Sequence, residues 1–369
     1  MQWSKERAAS REQNGARWRH LLRCSAFGAV IGFLLLVGMD GGTAAQQKPV
    51  VDSTLDRYVP LARVPGLLTV AGSDTMQPLF IKIAAAFRLY QPDIKIAVEG
   101  GGSETAMERF LEGIALSRTG EGNVTGHEGS RQVFLMASSR ELRPTELKQF
   151  TARHGYQPTA LPIAVDAVAV FVHKDNPVPG LTLEQIDAIF SNTRKRGYPK
   201  VIGEWGDLGM TNGWEKAEIH IYGRDQKSGT RAFFREHVLD NGEFKYSIRE
   251  VPGAASMILA IARDPLGIGY GAIALQGSGT RAVPLAERSD TPFVTPSAQA
   301  AMEGSYPLRR LMYLYVNKPA DRPIQPVVME FLKFVNSREG QEVVARAGFY
   351  PIREKQVGLN LSAITESNQ

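Results

Sequence analysis

The sequence predicts an α/β protein of layered, largely parallel sheets, and three observations point there. Short apolar runs alternate along the chain with segments of helical periodicity. One run, Ala164–His173 (AVDAVAVFVH), is almost wholly apolar and rich in valine, as a strand covered on both faces should be. Strand-like runs also break at glycine and pass into helix-like segments, which is the punctuation of strand–turn–helix units.

Each element follows from its own pattern. Leu67–Ala71 reads as a short strand that breaks at Gly72. Leu79, Ile83 and Phe87 then recur on one face of a helix predicted over Gln77–Tyr90. Ile94–Val98 is a second strand, and Gly100-Gly101-Gly102-Ser103 leads into a helix over Glu104–Glu112. Ser117–Ser130 (SRTGEGNVTGHEGS) is polar and glycine-rich, the composition of a surface insertion. Beyond the Ala164–His173 strand come a helix at Leu183–Phe190, a strand at Ile219–Tyr222, and helices at Arg231–Leu239 and Met257–Arg263. A strand at Leu311–Val316 precedes helices at Val327–Val335 and Glu339–Ala347. No internal repeat interrupts the series.

At 369 residues, with 43% hydrophobic and 22% charged residues, the chain has room for two domains with cores of their own. The formal charge of +5 is unevenly placed: six basic against three acidic residues leave +3 within the first 45. About +2 is spread over the rest, too little for a nucleic-acid footprint. The basic leader ends at Arg23, an uncharged apolar run follows over Cys24–Val37, and small residues close it at Thr43-Ala44-Ala45. That order is a secretory signal peptide, cut near Ala45-Gln46, with an uncleaved anchor as the alternative reading. Its apolar core is shorter than the roughly 20 residues a membrane-spanning helix needs. Cys24 is the only cysteine, so the mature chain is expected to carry neither disulfides nor thiolate metal ligands.

The chemistry gathers where strands turn into helices. Gly72-Ser73-Asp74-Thr75-Met76, Gly101-Gly102-Ser103-Glu104-Thr105 and Lys227-Ser228-Gly229-Thr230 share one design, glycine with serine or threonine at a helix start. The first turn of a helix leaves amides without intrahelical acceptors, and the macrodipole adds partial positive charge there. Such a terminus is suited to oxyanions, although a single one is also what ordinary capping looks like. Three on one chain favour a site. Arg224, four residues before Ser228, adds a planar guanidinium able to hold two oxygens of a tetrahedral anion, unless it is a surface arginine paired to Asp225.

The stretch Tyr222-Gly223-Arg224-Asp225-Gln226-Lys227-Ser228-Gly229-Thr230 resembles the Arg-x-x-x-Ser-Gly-Thr signature of the phosphate-binding subunit of bacterial phosphate ABC importers. AGSDTMQPL at 71–79, GGGS at 100–103, ASSREL at 137–142, GIGY at 267–270 and SYPLRRLMYLYVNK at 305–318 fall in that family's order, and the resemblance covers roughly residues 66–352. It implies a two-domain class II periplasmic-binding-protein fold, with mostly parallel sheets flanked by helices and two hinge crossings. The implied layout is a signal peptide at 1–45, a linker at 46–65, domain I from 66–165 with 301–355, domain II from 166–300, and a tail at 356–369. By position, Ser73, Thr75 and Met76 match the first phosphate loop, Ser103 the second, and Arg224, Ser228, Gly229 and Thr230 the third, on the opposite domain. The implied role is a periplasmic, monomeric receptor that takes inorganic phosphate to a membrane permease, with no cofactor and no metal.

One departure bears on the ligand. Family members carry Ala-Ser-Asp where this chain has Ala137-Ser138-Ser139, and that aspartate accepts a proton from the anion, which excludes sulfate. Ser139 can donate instead, so sulfate and molybdate stay open as ligands. Asp166, inside the apolar strand, either supplies the missing carboxylate or bonds neighbouring backbone. A phosphatase-like enzyme with Ser103 or Ser228 as nucleophile is the alternative of a different class. The sequence shows no base to activate either serine and no pair of histidines at metal-ligand spacing. Ser278-Gly279-Thr280 repeats the triplet, but the residues after it do not read as a helix, so it is taken as a loop.

Overall fold

The computed structural model describes residues 49–112, 133–319 and 322–365, so the expected leader and the whole 117–130 insertion lie outside it. Each strand–helix unit follows from its apolar spacing. Strand β1 (Gly66–Gly72) buries its last five residues, and helix α1 (Gln77–Phe87) turns Leu79, Phe80, Ile83, Ala84 and Phe87 inward. The next units are β2 (Ile94–Glu99) with α2 (Ser103–Glu112), then β3 (Val133–Ser138) with α3 (Pro144–His154). Strand β4 (Thr159–His173) begins five residues earlier than its apolar run suggests, because pairing with a neighbour extends it through Pro162.

Beyond it lie β5 (Leu181–Thr182), α4 (Leu183–Phe190), β6 (His220–Arg224) and α5 (Gly229–His237). Strand β7 (Arg249–Val251), α6 (Ala254–Ala262), β8 (Gly267–Ala272), β9 (Thr280–Ala282) and β10 (Leu285–Ala286) follow. The chain ends with α7 (Ala298–Glu303), β11 (Arg309–Val316), α8 (Pro326–Val335), α9 (Arg338–Arg346), β12 (Tyr350–Pro351) and α10 (Glu354–Thr365).

The main sheet has the order β2-β1-β3-β11-β4-β8-β6-β7, with β9 and β12 also on β4. Strands β2, β1 and β3 are parallel, as are β8, β6 and β7. The two parallel sets are joined through antiparallel β11 and β4. Strand β4 is long enough to serve both, pairing with β11 through Ala167 and with β8 from Val168 onward. Apolar side chains sort accordingly. One core gathers around Ile163, Ala164, Leu314 and Phe331, and another around Val168, Val170, Phe234 and Tyr270.

Two terminal segments pack against the rest of the fold. In the supposed linker, Leu55 and Tyr58 are buried, and the Tyr58 hydroxyl donates to Glu330 Oε2 at 2.6 Å. In the supposed tail, α10 buries Val357, Asn360 and Ile364, with Asn360 Nδ2 donating to Pro162 O and to Asn336 Oδ1. Both segments are held by apolar burial combined with long-range hydrogen bonds.

Candidate functional site

Parallel strands place their C-terminal ends side by side. The β1 pairings put Ala71 opposite Glu99 and Gly72 opposite Ala137, so the turns after β1, β2 and β3 emerge together. The turn after β6 meets them from the other parallel set. Thr75 Oγ1 lies 3.1 Å from Thr230 Oγ1, and the Glu104 amide donates to Lys227 O at 3.3 Å. The approach is close enough to require glycine. A Cβ on Gly102, whose φ is +91°, would sit 2.1 Å from Lys227 O, and one on Gly229 would meet Ser103 Oγ at 2.5 Å and Ser139 Oγ at 2.7 Å.

Helix α5 starts two residues before the periodicity suggests. Ser228 becomes its N-cap, accepting from the Arg231 amide, and Gly229 and Thr230 become its first turn, where amides lack intrahelical acceptors. Ser103 likewise opens α2. Ser103 Oγ accepts from the Ser139 amide at 3.3 Å and lies 3.5 Å from Ser139 Oγ. Ser73, Thr75, Ser103, Ser139, Ser228 and Thr230 are all buried. The polar donors are therefore gathered out of water, where each counts for more.

Arg224 is 2% exposed, and it pairs with Asp74 at 2.9 Å rather than with the neighbouring Asp225. Its amide donates to the Tyr270 hydroxyl, its carbonyl accepts from Arg231 Nη1, and its Nε is buried without a hydrogen-bond partner. Burial pushes the Tyr270 hydroxyl up to about 12, so it stays neutral beside the arginine. Asp74 Oδ1 also accepts from the Gly101 amide, tying the first turn to the second.

A second buried arginine, Arg310, escaped the sequence reading. Its Nε donates to Asp166 Oδ2 at 2.9 Å, while Nη1 donates to Ser139 O and Thr230 Oγ1, both at 3.1 Å. Asp166 thus has a partner that neither sequence alternative named, although the amides of Ala167 and Ile273 also favour its charge. Burial raises the Asp166 pKa against the opposing pull of Arg310. The signal was present: an aspartate inside an apolar strand needs a buried countercharge, and Arg309-Arg310 opens another apolar strand.

Not every nominated residue offers a free donor. The Ser73 amide donates to Ala137 O, and Met76 buries its side chain in a core while its amide donates to Ser73 O; the Ser228 oxygen accepts as a cap, which leaves its O–H to donate. Arg140, next to Ser139, is turned away and held by Glu104 and Glu146. Ser278 and Gly279 form a loop ahead of β9. The cluster offers hydroxyls, helix-start amides and two guanidinia. His154, His220 and His237 make their hydrogen bonds elsewhere, to Leu111 O, Asp264 and Phe233 O.

Comparison with known proteins gives the family of the chain. Residues 43–339 match the model of a PBP superfamily domain. The chain is 38% identical over 315 residues, 85% of its length and 92% of the relative's, to a protein of Pseudomonas aeruginosa named phosphate-binding protein PstS. A Bacillus subtilis protein of the same name is 26% identical over 88% of this chain and 92% of its own. In structure, a putative phosphate ABC transporter substrate-binding protein from Clostridium perfringens superposes with a TM-score of 0.62 at 22% identity, over 78% of this chain and 100% of that one. An ABC-type phosphate transport receptor from Vibrio cholerae gives 0.57 at 19%, over 77% and 100%. By the extent of these matches, the chain belongs to the PstS family of the PBP superfamily.

Proposed function

We propose that this protein is an exported receptor that captures inorganic phosphate between two α/β halves and hands it to a membrane ABC permease, without chemical change to the anion. The observation that carries the reading is the meeting of Thr75, Ser103, Ser139, Gly229 and Thr230 in one buried cluster assembled from four turns, with the buried Arg224 tied to the first of them through Asp74. A dehydrated tetrahedral anion needs many donors converging from several directions, and hydroxyls, helix-start amides and a guanidinium supply them. Ser73 and Met76 shape the first turn, and Ser228 holds the start of α5 in place.

The halves are residues 66–165 with 301–355, and 166–300. The separate cores support that division, and β4 and the approach to β11 are the crossings about which the halves would turn. The leader supports export to the periplasm, and the receptor acts as a monomer. The relatives' printed names are those of binding proteins, and no histidine or metal cluster among the described residues is positioned to activate a serine. Serine at 139 favours a second ligand, sulfate, because it withholds no donor from a fully ionised oxygen.

Isothermal titration with phosphate, sulfate and molybdate tests the reading. Micromolar or tighter binding of phosphate is expected, with no turnover of p-nitrophenyl phosphate in the presence of divalent metals. Absence of phosphate binding, or steady hydrolysis, overturns it.

A further inference from the structure

We infer that Arg310 is a second anion-binding guanidinium of this site and that Asp166 is the residue that positions it. The inference rests on the oxyanion reading and names a contact that reading does not contain. The guanidinium is divided between two tasks. Its Nε faces Asp166 Oδ2, whereas Nη1 reaches Ser139 O and Thr230 Oγ1, and Thr230 Oγ1 is itself 3.1 Å from Thr75 Oγ1. Arg310 therefore stands between the carboxylate and the hydroxyl cluster.

Nη2 lies 2.7 Å from Asp166 Oδ2 but out of hydrogen-bonding line with it, and it is buried without another acceptor, as is Arg224 Nε. Both guanidinia are buried with an N–H group to spare, Arg310 against the hydroxyl cluster and Arg224 against Asp74 of the first turn. Burial depresses the Arg310 pKa and the Arg224 charge depresses it further, despite the pull of Asp166. Like charges brought this close in a dry setting are relieved by an anion between them.

Asp166 cannot take up that place. The strand register puts it opposite Arg310, and side-chain exposure of 2% for the arginine and 0% for the aspartate shows the pair sealed from water. The carboxylate holds the planar fork by one edge and leaves the other edge to the cluster. A buried carboxylate used this way orients a donor and does not accept a proton from the ligand.

The test is a double-mutant cycle read by calorimetric titration with inorganic phosphate, with thermal unfolding recorded on the same samples. Arg310→Gln should weaken binding by about 100-fold or more, and Arg310→Lys by about tenfold, since lysine restores the charge without the fork. Asp166→Asn should cost about tenfold in the wild-type background and under about threefold beside Arg310→Gln, which a purely structural aspartate would not do. Should Arg310→Gln fail to fold, the neutral pair Asp166→Asn/Arg310→Gln takes its place, with the same loss expected. Phosphate affinity within about threefold of wild type in either Arg310→Gln variant overturns the inference; an Asp166→Asn penalty equal in both backgrounds removes the positioning role. If the unaltered protein binds no phosphate, the phosphate reading fails by itself, and the same variants titrated with sulfate decide the role of Arg310.

Discussion

Arg224 Nη2 donates to Asp74 Oδ2 at 2.9 Å, joining the turn after β6 to the turn after β1 across 150 residues of sequence. The pair is asymmetric: Arg224 is sealed in the cluster, while Asp74 is about a fifth exposed and also holds the Gly101 amide. Arg224→Ala is therefore expected to weaken phosphate binding by two orders of magnitude or more, about 3 kcal/mol, because a charge-assisted contact leaves a desolvated site. Asp74→Asn keeps the shape and one acceptor, and should cost roughly tenfold. Titration calorimetry on both variants checks the order. An Arg224→Ala protein with wild-type affinity removes Arg224 from the site.

The closeness of the turns gives a second expectation. Gly229→Ala drives a Cβ to 2.5 Å from Ser103 Oγ, and Gly102→Ala drives one to 2.1 Å from a backbone carbonyl that has little freedom to retreat. Both should weaken phosphate binding at least about tenfold, Gly102→Ala more, since its φ of +91° adds strain of order 1 kcal/mol. Gly101 is the control. Its φ of +110° is also strained for alanine, but the space around it is open, so Gly101→Ala should lower the melting temperature with a smaller loss of affinity. Equal affinity losses in all three variants would show that strain, and not contact between the turns, sets the effect.

These contacts also mark how far the sequence could be read. The strand–helix units were legible because β4 is apolar on both faces and α1 repeats its apolar residues every four positions. The three turns were legible because glycine beside serine or threonine recurs at three strand-to-helix junctions of one chain. Arg310 was not singled out: its partner Asp166 lies 144 residues away, and only the β4–β11 register brings them opposite. The burial of Leu55 and Tyr58 was hidden for a similar reason, since isolated apolar residues in a polar stretch carry no period, and their contacts lie far along the chain.

Lys245 offers a pH-dependent test away from the cluster. Its Nζ donates to Ile202 O at 2.8 Å, and burial, aided by the charge of Arg194, lowers its pKa to about 8 from an unfolded value of 10.5. Between those values the unfolded chain binds more protons, so this group makes stability rise with pH there. Below pH 8 the full cost of burying the ammonium is present. Relative to Lys245→Met, the wild type should gain roughly 1–2 kcal/mol of unfolding free energy between pH 7 and about 10.5, measured by urea titration of both proteins. A pH-independent difference between the two would mean that Lys245 stays charged throughout.

Ser139 decides which anion the cluster can refuse. It is fully buried, 3.5 Å from Ser103 Oγ and beside Gly229, so whatever its side chain presents meets an anion held there. A hydroxyl rotates to donate to an ionised oxygen or to accept from a protonated one, so both sulfate and hydrogen phosphate fit. A carboxylate at this position only accepts: it matches the remaining proton of phosphate and repels sulfate, which has none at neutral pH. Ser139→Asp should therefore raise the ratio of sulfate to phosphate dissociation constants by about 100-fold or more, the cost of setting a buried acceptor against an oxygen with no proton to give. Competition of sulfate against phosphate at pH 7, in wild type and variant, measures that ratio. If it does not change, the Ser139 side chain does not face the bound anion.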